Sequence, residues 1–116
     1  MALLHDMVLP SIHIVPQGWY DYSSKYEDDS TDYIFDSPAL PADLTEVAQQ
    51  ACRACGVTGF ARVDFRVDQD GRPWILEVNT SPGMTDHSLV PKAAAKVGMS
   101  LADVCDHLIR GPLCSV

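Results

Sequence analysis

Two runs of alternating apolar and polar residues, Phe60 to Val67 and Trp74 to Asn79, flank an Asp70-Gly71 pair. Asp-Gly between alternating runs predicts a β-hairpin closed by a type I′ turn, which needs φ > 0 at both central residues. A two-residue loop at that point fixes the pairing: Val67 faces Trp74, Phe65 faces Leu76 and Val63 faces Val78. These six apolar side chains point one way, with Trp74 as a core anchor. On the other face Asp64 lies opposite Glu77, and Arg62 lies opposite Asn79. A slip of one residue would mix the two faces, so the pattern specifies its register.

The rest of the chain reads as short elements. Strands are expected near Leu3, from Ser11 to Val15 and near Tyr33 to Phe35, with a loop from Gly18 to Asp32 rich in tyrosine, serine and acids. Helical periodicity runs from Leu44 to Cys55, with Gly56 as C-cap. Two shorter helices follow, Leu89 to Val97 and Leu101 to Arg110, ended by Gly98 and Gly111 and started by Ser88 and Ser100 as N-caps. Pro91 is tolerated in a first turn. The fold class is α+β, a mainly antiparallel sheet with packed helices. No repeat, low-complexity tract or interdomain linker interrupts residues 1–116, which read as one domain.

The polar hairpin face carries the candidate chemistry. Two acids directly opposite on adjacent strands repel. A cation between them removes the conflict. Asp64, Glu77 and the Asn79 carbonyl oxygen are hard donors suited to Mg²⁺, which keeps several waters and shares its shell with phosphates. The alternative is a solvated face on which Arg62 and Arg66 neutralise the acids. The strand ends in the turn sequence Asn79-Thr80-Ser81-Pro82-Gly83, where glycine admits a backbone shape other residues resist and a close ligand approach. The helix start at Ser88-Leu89 offers unpaired N–H donors and the positive end of a dipole to a carboxylate or phosphate.

Composition narrows this picture. With 47% hydrophobic and 21% charged residues, the chain is globular rather than disordered. A net charge of −8 without a basic stripe argues against nucleic-acid or anionic-membrane partners. No stretch approaches a transmembrane helix, and His5-Asp6 after four residues does not suit a signal peptide, so the cytoplasm is the expected compartment. Cys52 and Cys55 form C-x-x-C inside a helical pattern, without the second pair that zinc would need. Cys105 falls on an apolar stripe with Leu101, Val104, Leu108 and Ile109. Reduced, incidental thiols are the expected reading. His87 alone among the histidines sits beside the candidate site, as a hydrogen-bonding or structural residue.

Several motifs carry a family resemblance. Arg62-Val63-Asp64, Leu76 to Thr85 (LEVNTSPGMT) and His87-Ser88-Leu89-Val90-Pro91, preceded in order by Leu9-Pro10-Ser11-Ile12, Tyr20-Asp21-Tyr22 and Lys25-Tyr26, resemble the C-terminal signature of the D-alanine–D-alanine ligases, members of the ATP-grasp superfamily. The resemblance implies that ATP phosphorylates one D-alanine carboxylate and that the amine of a second D-alanine displaces phosphate, in peptidoglycan precursor synthesis. It implies two Mg²⁺ (or Mn²⁺) ions on Asp64, Glu77 and Asn79, with Arg62 and Lys25 on the transferred phosphoryl group. It assigns the Gly83 N–H to the oxyanion, Ser88 and the Leu89 N–H to the second D-alanine's carboxylate, and Tyr26 to a loop closing over the site. Lys25-Tyr26 resembles the dipeptide-forming branch rather than relatives that make an ester.

The chain departs from the family at Asp86, where a small polar residue is usual, and at Lys92, where an apolar one is. Asp86 adds negative charge beside Ser88, which Lys92 could offset. No Walker-type loop, adenine-hinge acid or N-terminal substrate domain is found in the sequence. The expectation is therefore the C-terminal lobe of such a ligase, incomplete by itself unless self-association or the missing domains restore the site. Another ATP-grasp carboxylate–amine ligase and a non-catalytic Mg²⁺-binding fragment remain as alternatives.

Overall fold

A computed structural model describes residues 1–15 and 31–114, with side chains through Gly111. The elements in chain order are β1 (Ala2–Leu4), β2 (Met7–Val8), β3 (Ile12–Val15), β4 (Asp32–Phe35), α1 (Leu44–Ala54), β5 (Phe60–Val67), β6 (Pro73–Asn79), α2 (Leu89–Lys96) and α3 (Leu101–Cys114). All but β2 were legible in the alternation and periodicity. Strands β2-β1-β5-β6 form an antiparallel sheet in that order, and β3 with β4 forms a separate two-stranded ribbon.

The period of two along β1 and β5 divides the sheet into faces. Leu3, Ala61 and Val63 pack under Ala48 and Cys52 of α1, with Phe65 and Val78 alongside. Ala2 and Leu4 look the other way, toward Val90, Ala93 and Ala94 of α2 and Val104 of α3, with Ile12 and Phe35 of the ribbon packed against them. Because Ala2 pairs with Arg62, the polar hairpin residues lie on this second face.

The hairpin keeps its expected register only at the far end from the turn. Arg62 pairs with Asn79, Val63 with Val78 and Asp64 with Glu77, as the alternation required. A bulge then intervenes, and Phe65 pairs with Ile75, Arg66 with Trp74 and Val67 with Pro73. The expected Val67–Trp74 and Phe65–Leu76 pairs are thus corrected. The cause is the loop. Only Gly71 has a positive φ, 78°, and Asp70 does not, so the turn is not type I′. The Asp68 N–H donates to the Arg72 carbonyl and the Gly71 N–H to the Asp68 carbonyl, giving a three-residue loop with glycine in the left-handed position. The Asp68 carboxylate holds that shape by accepting from the Asp70 and Arg72 N–H groups and from Trp74 Nε1, each at 2.9 Å. The Trp74 hydrogen bond, then the Arg72 and Asp70 N–H groups, hold the Asp68 carboxyl below its usual range.

Trp74 is therefore not a core anchor. It is 58% exposed, and Leu76, the extra residue at the bulge, is 66% exposed. Bulges re-aim side chains beside sites, and here Leu76 and Glu77 both border the same cleft.

Helix boundaries hold to a residue or two, with one correction. Gly111 does not end α3, which continues to Cys114. Residue 112 is proline and has no N–H for the Leu108 carbonyl. His5 Nε2 reaches that carbonyl at 3.2 Å instead. The His5 ring lies where a Cβ on residue 111 would stand, which explains glycine there. His107 Nε2 meets the Leu4 carbonyl at 3.3 Å, so two imidazoles fasten α3 to the β1–β2 turn. At the start of α3, Ser100 and Asp103 cap each other: the Asp103 N–H donates to Ser100 Oγ and the Ser100 N–H to Asp103 Oδ2. Cys105 and Ile109 lie on the exposed side of this helix, so the apolar stripe reduces to Val104 and Leu108. Cys52, Cys55 and Cys105 are free thiols. Among the described residues, no helix is long and apolar enough to cross a membrane.

Candidate functional site

Beyond the reach of α2 and α3, the polar face of β5 and β6 is left as the floor of a cleft of about 770 Å³. Ser11, Ile12 and His13 line one side, and Leu89, Val90 and Ala93 line another. The sequence-predicted residues of the floor meet as the register required. Arg62 is buried at its centre. Its Nε donates to Asp64 Oδ1 at 2.8 Å and its Nη2 to Asp64 Oδ2 at 2.9 Å, a bidentate pair. The same Nη2 lies 3.7 Å from Glu77 Oε1. One guanidinium thus relieves the repulsion between the facing acids, the arrangement the neutralised-face alternative describes, with Arg62 but not Arg66 in that role.

This geometry sets the charge state of Asp64. Burial raises its pKa, but the Arg62 hydrogen bonds and charge, with smaller help from Glu77 and the Met1 amino group, outweigh that and hold it below the usual carboxylate range. The Met1 amine itself donates to the Val63 carbonyl at 2.8 Å, and burial pulls its pKa down to about 6.

Asn79 lies beside Arg62 at the end of β6. Its Oδ1 accepts the Ser81 N–H at 2.9 Å and so shapes the exit turn, leaving the oxygen a second lone pair. The donor set of two carboxylates and one carboxamide oxygen suits Mg²⁺ sharing its shell with phosphate oxygens. It is not a protein cage: among the described residues no group of three or more His, Cys, Asp or Glu side chains gathers for a metal. Glu77, with a side chain 52% exposed, is the more open of the two carboxylates, whereas each Asp64 oxygen accepts one Arg62 N–H.

The start of α2 is built around Ser88. It occupies the N-cap position of α2 with extended φ and ψ of −81° and 156°, but its hydroxyl makes no cap bond. The third helical residue is Pro91, which has no N–H to offer. Ser88 Oγ turns back instead to the Thr85 N–H at 3.1 Å and to Thr85 Oγ1 at 2.8 Å. Gly83 is required by this packing, since a Cβ there would stand 2.7 Å from Ser88 Oγ. Close approach, not a positive φ, is its reason. The fold thus brings Gly83, Ser88 and Leu89 together at one helix start. Asp86 and His87 point away, 3.8 Å apart and with side chains 88% and 86% exposed, so Asp86 does not crowd Ser88. Lys92 does not balance Asp86 either; its ammonium lies over the Tyr33 ring. Lys25 and Tyr26, with Tyr20 to Tyr22, fall outside the described residues.

Comparison with known proteins gives a consistent result. Residues 2–110 match the family described as D-ala D-ala ligase C-terminus. The chain is 50% identical over 112 residues to a D-alanine–D-alanine ligase of Bordetella petrii, covering 93% of this chain and 34% of that one. With the enzyme of that name from Gloeobacter violaceus it shares 47% identity over 115 residues, 94% of this chain and 38% of the relative. Among solved structures, the D-alanine–D-alanine ligase of Bacillus anthracis complexed with ATP superposes with a TM-score of 0.75 at 31% identity, over 98% of this chain and 37% of that one. The VanG D-Ala:D-Ser ligase of Enterococcus faecalis gives 0.66 at 31% identity, over 93% and 34%. The chain spans 34% and 38% of the length of the two curated relatives.

Proposed function

Since this chain belongs to the D-alanine–D-alanine ligase family, matching its C-terminal part, we propose that it supplies the metal-, phosphate- and acceptor-facing part of an ATP-dependent ligase that makes D-alanyl-D-alanine for peptidoglycan. The observation that carries this reading is the paired register of Arg62 with Asn79 and Asp64 with Glu77 on one face, with Arg62, Asp64 and Glu77 lining a cleft that Leu89 also lines.

Asp64, Glu77 and Asn79 would hold Mg²⁺ (or Mn²⁺), two ions by family resemblance, which when bound neutralise the charge of the ATP phosphates. Glu77 is placed to ligate first, because it is open. Each Asp64 oxygen keeps a lone pair beside its Arg62 hydrogen bond, so Asp64 can ligate with that pair intact while the guanidinium brings positive charge to the phosphoryl oxygens. Arg62 is thereby a charge-stabilising group. Acyl phosphate formation and attack by the second amine demand positioning and charge stabilisation more than covalent help from the protein. Ser88 and the Leu89 N–H would hold the acceptor carboxylate at the positive end of α2, and the Gly83 N–H would meet the oxyanion. Lys25 and Tyr26 complete the set by resemblance, on the phosphoryl group and in the loop that excludes water.

In the relatives this match occupies about a third of the chain. The complete reaction therefore draws on adenine- and first-substrate-binding parts that the matched segment does not include. The cytoplasm, where ATP is at hand, is the proposed compartment. The acceptor is the narrower point. The D-alanine–D-alanine ligases at 50% and 47% identity favour D-alanine over the D-serine of the neighbour at 31%.

The test is phosphate release from Mg²⁺–ATP by the purified chain across a concentration series, with D-alanine, with D-serine added, or with neither, beside an Asp64→Ala control. D-alanine-dependent release that disappears in the control is expected of a working ligase, and rising specific rate with concentration of one completed by self-association. No release at any concentration would reduce the chain to a fragment holding part of the site. Release independent of D-alanine would contradict the substrate reading.

A further inference from the structure

The β3–β4 ribbon forms no backbone ladder with the four-stranded sheet, so its position over the cleft depends on side chains. Ile12 and Phe35 pack it against the core, and two further contacts join it to α2. The Lys92 ammonium lies 4.2 Å from the centre of the Tyr33 ring, and the Lys96 ammonium 4.7 Å from that of Phe35. The spacings match: four residues of helix rise about 6 Å and two residues of strand about 6.6 Å, so both pairs align along one seam. A cation within about 6 Å of a ring face is attracted by the ring's quadrupole. Tyr33 and Phe35 share a face of β4, and β4 pairs with β3 in register from Ile12–Phe35 to Val15–Asp32. β3 lines the cleft on one side, and α2, through Leu89 and Val90, lines it on another.

We propose that Lys92 and Lys96 are positioning residues that set the width of this cleft: their charges, held on the Tyr33 and Phe35 rings, fasten the β3–β4 wall to the helix that carries the acceptor site. What fills the cleft rests on the function proposed above; the clamp itself does not. The apolar contacts of Phe35 and Ile12 hold the ribbon on the core in either case; the lysine charges, attracted to the ring faces, add the closure toward α2.

The experiment is native-state hydrogen exchange on the full chain in three forms: wild type, Lys92→Met with Lys96→Met, and Lys92→Arg with Lys96→Arg. Methionine keeps the apolar stem and removes the charge; arginine keeps a cation that stacks on rings. The methionine pair should speed exchange of the hydrogen-bonded β3–β4 amides roughly tenfold. It should leave the Val63 amide unchanged, and the arginine pair should restore the wild-type rate. Affinity for Mg²⁺ with a non-hydrolysable ATP analogue should fall in the methionine pair and recover in the arginine pair. Unchanged ribbon exchange in the methionine pair, or equal acceleration in both pairs, would overturn the clamp. Exchange that follows the expected pattern in a chain that binds no nucleotide would uphold the clamp and count against the proposed occupant.

Discussion

The hairpin of β5 and β6 is two structures joined at a bulge. Its inner half, Arg62–Asp64 against Val78 and its neighbours, is anchored by Val63 and Val78 in the core under α1 and keeps the pairing that alternation demands. Its outer half, Phe65–Val67 against Pro73–Ile75, is one residue out of step and carries Trp74 and Ile75 at 58% and 43% exposure. The outer register follows from the loop, where Asp68 and Gly71 impose three residues instead of two. The inner register follows from burial, since a slip would bring Val63 to the cleft and Arg62 under α1. Neither end yields, and the bulge absorbs the difference. The lesson is that burial and turn chemistry can each dictate a register, and a bulge is found where they disagree.

The comparison can be broken by substitution, most visibly in the inner half. Val63 is fully buried, and Val63→Ala should cost about 2–3 kcal/mol from lost transfer and an unfilled cavity, read as a lower urea midpoint at unchanged slope. Arg62→Met should cost less, about 1–2 kcal/mol, because Asp64 keeps some access to water. The pH dependence separates its cause from packing. Asp64 has a depressed pKa in the folded chain, so its contribution is present above the unfolded value near 4 and is lost as pH falls through the lower folded value. In Arg62→Met burial is opposed only by the smaller Glu77 and Met1 contributions, so the folded pKa rises and the Asp64-dependent slope should flatten. Stability measured from pH 6 to pH 2, beside Asp64→Asn, checks this. Trp74→Ala in the outer half should cost below about 1 kcal/mol, since one exposed ring and its Asp68 hydrogen bond are all that is lost. A cost above about 3 kcal/mol would show that Trp74 is buried in solution.

What was legible in the chain divides along the same line. The inner pairs, the α1 helix and the Ser100 cap follow from local periodicity and capping chemistry, each reinforced by burial. Asp70-Gly71 is a strong local signal for a two-residue loop, while the deciding group, the Asp68 carboxylate, acts through three hydrogen bonds that no short pattern encodes. Trp74 follows the loop, for one extra loop residue reverses which side chains face the core. The Ser88 position was legible, but not the turn of its hydroxyl to Thr85, although Pro91 at the third helical position could have signalled it. Gly111 and the lysine contacts depend on residues distant in sequence, His5 and the β4 aromatics, and lay beyond any periodicity.

Acids stand at both ends of the hairpin: Asp64 and Glu77 in the inner half, Asp68 and Asp70 at the turn. Only the first pair, with Asn79, is the proposed metal site. Titration with Mn²⁺, followed by paramagnetic broadening of amide resonances, sets the two ends against each other in one sample. The account predicts that the Asp64, Glu77 and Asn79 amides broaden first, that Asp68, Asp70 and the Trp74 indole N–H stay sharp at the same Mn²⁺ level, and that Asp64→Ala with Glu77→Ala removes the difference. Equal broadening at both ends, or the same pattern in the double variant, would contradict it.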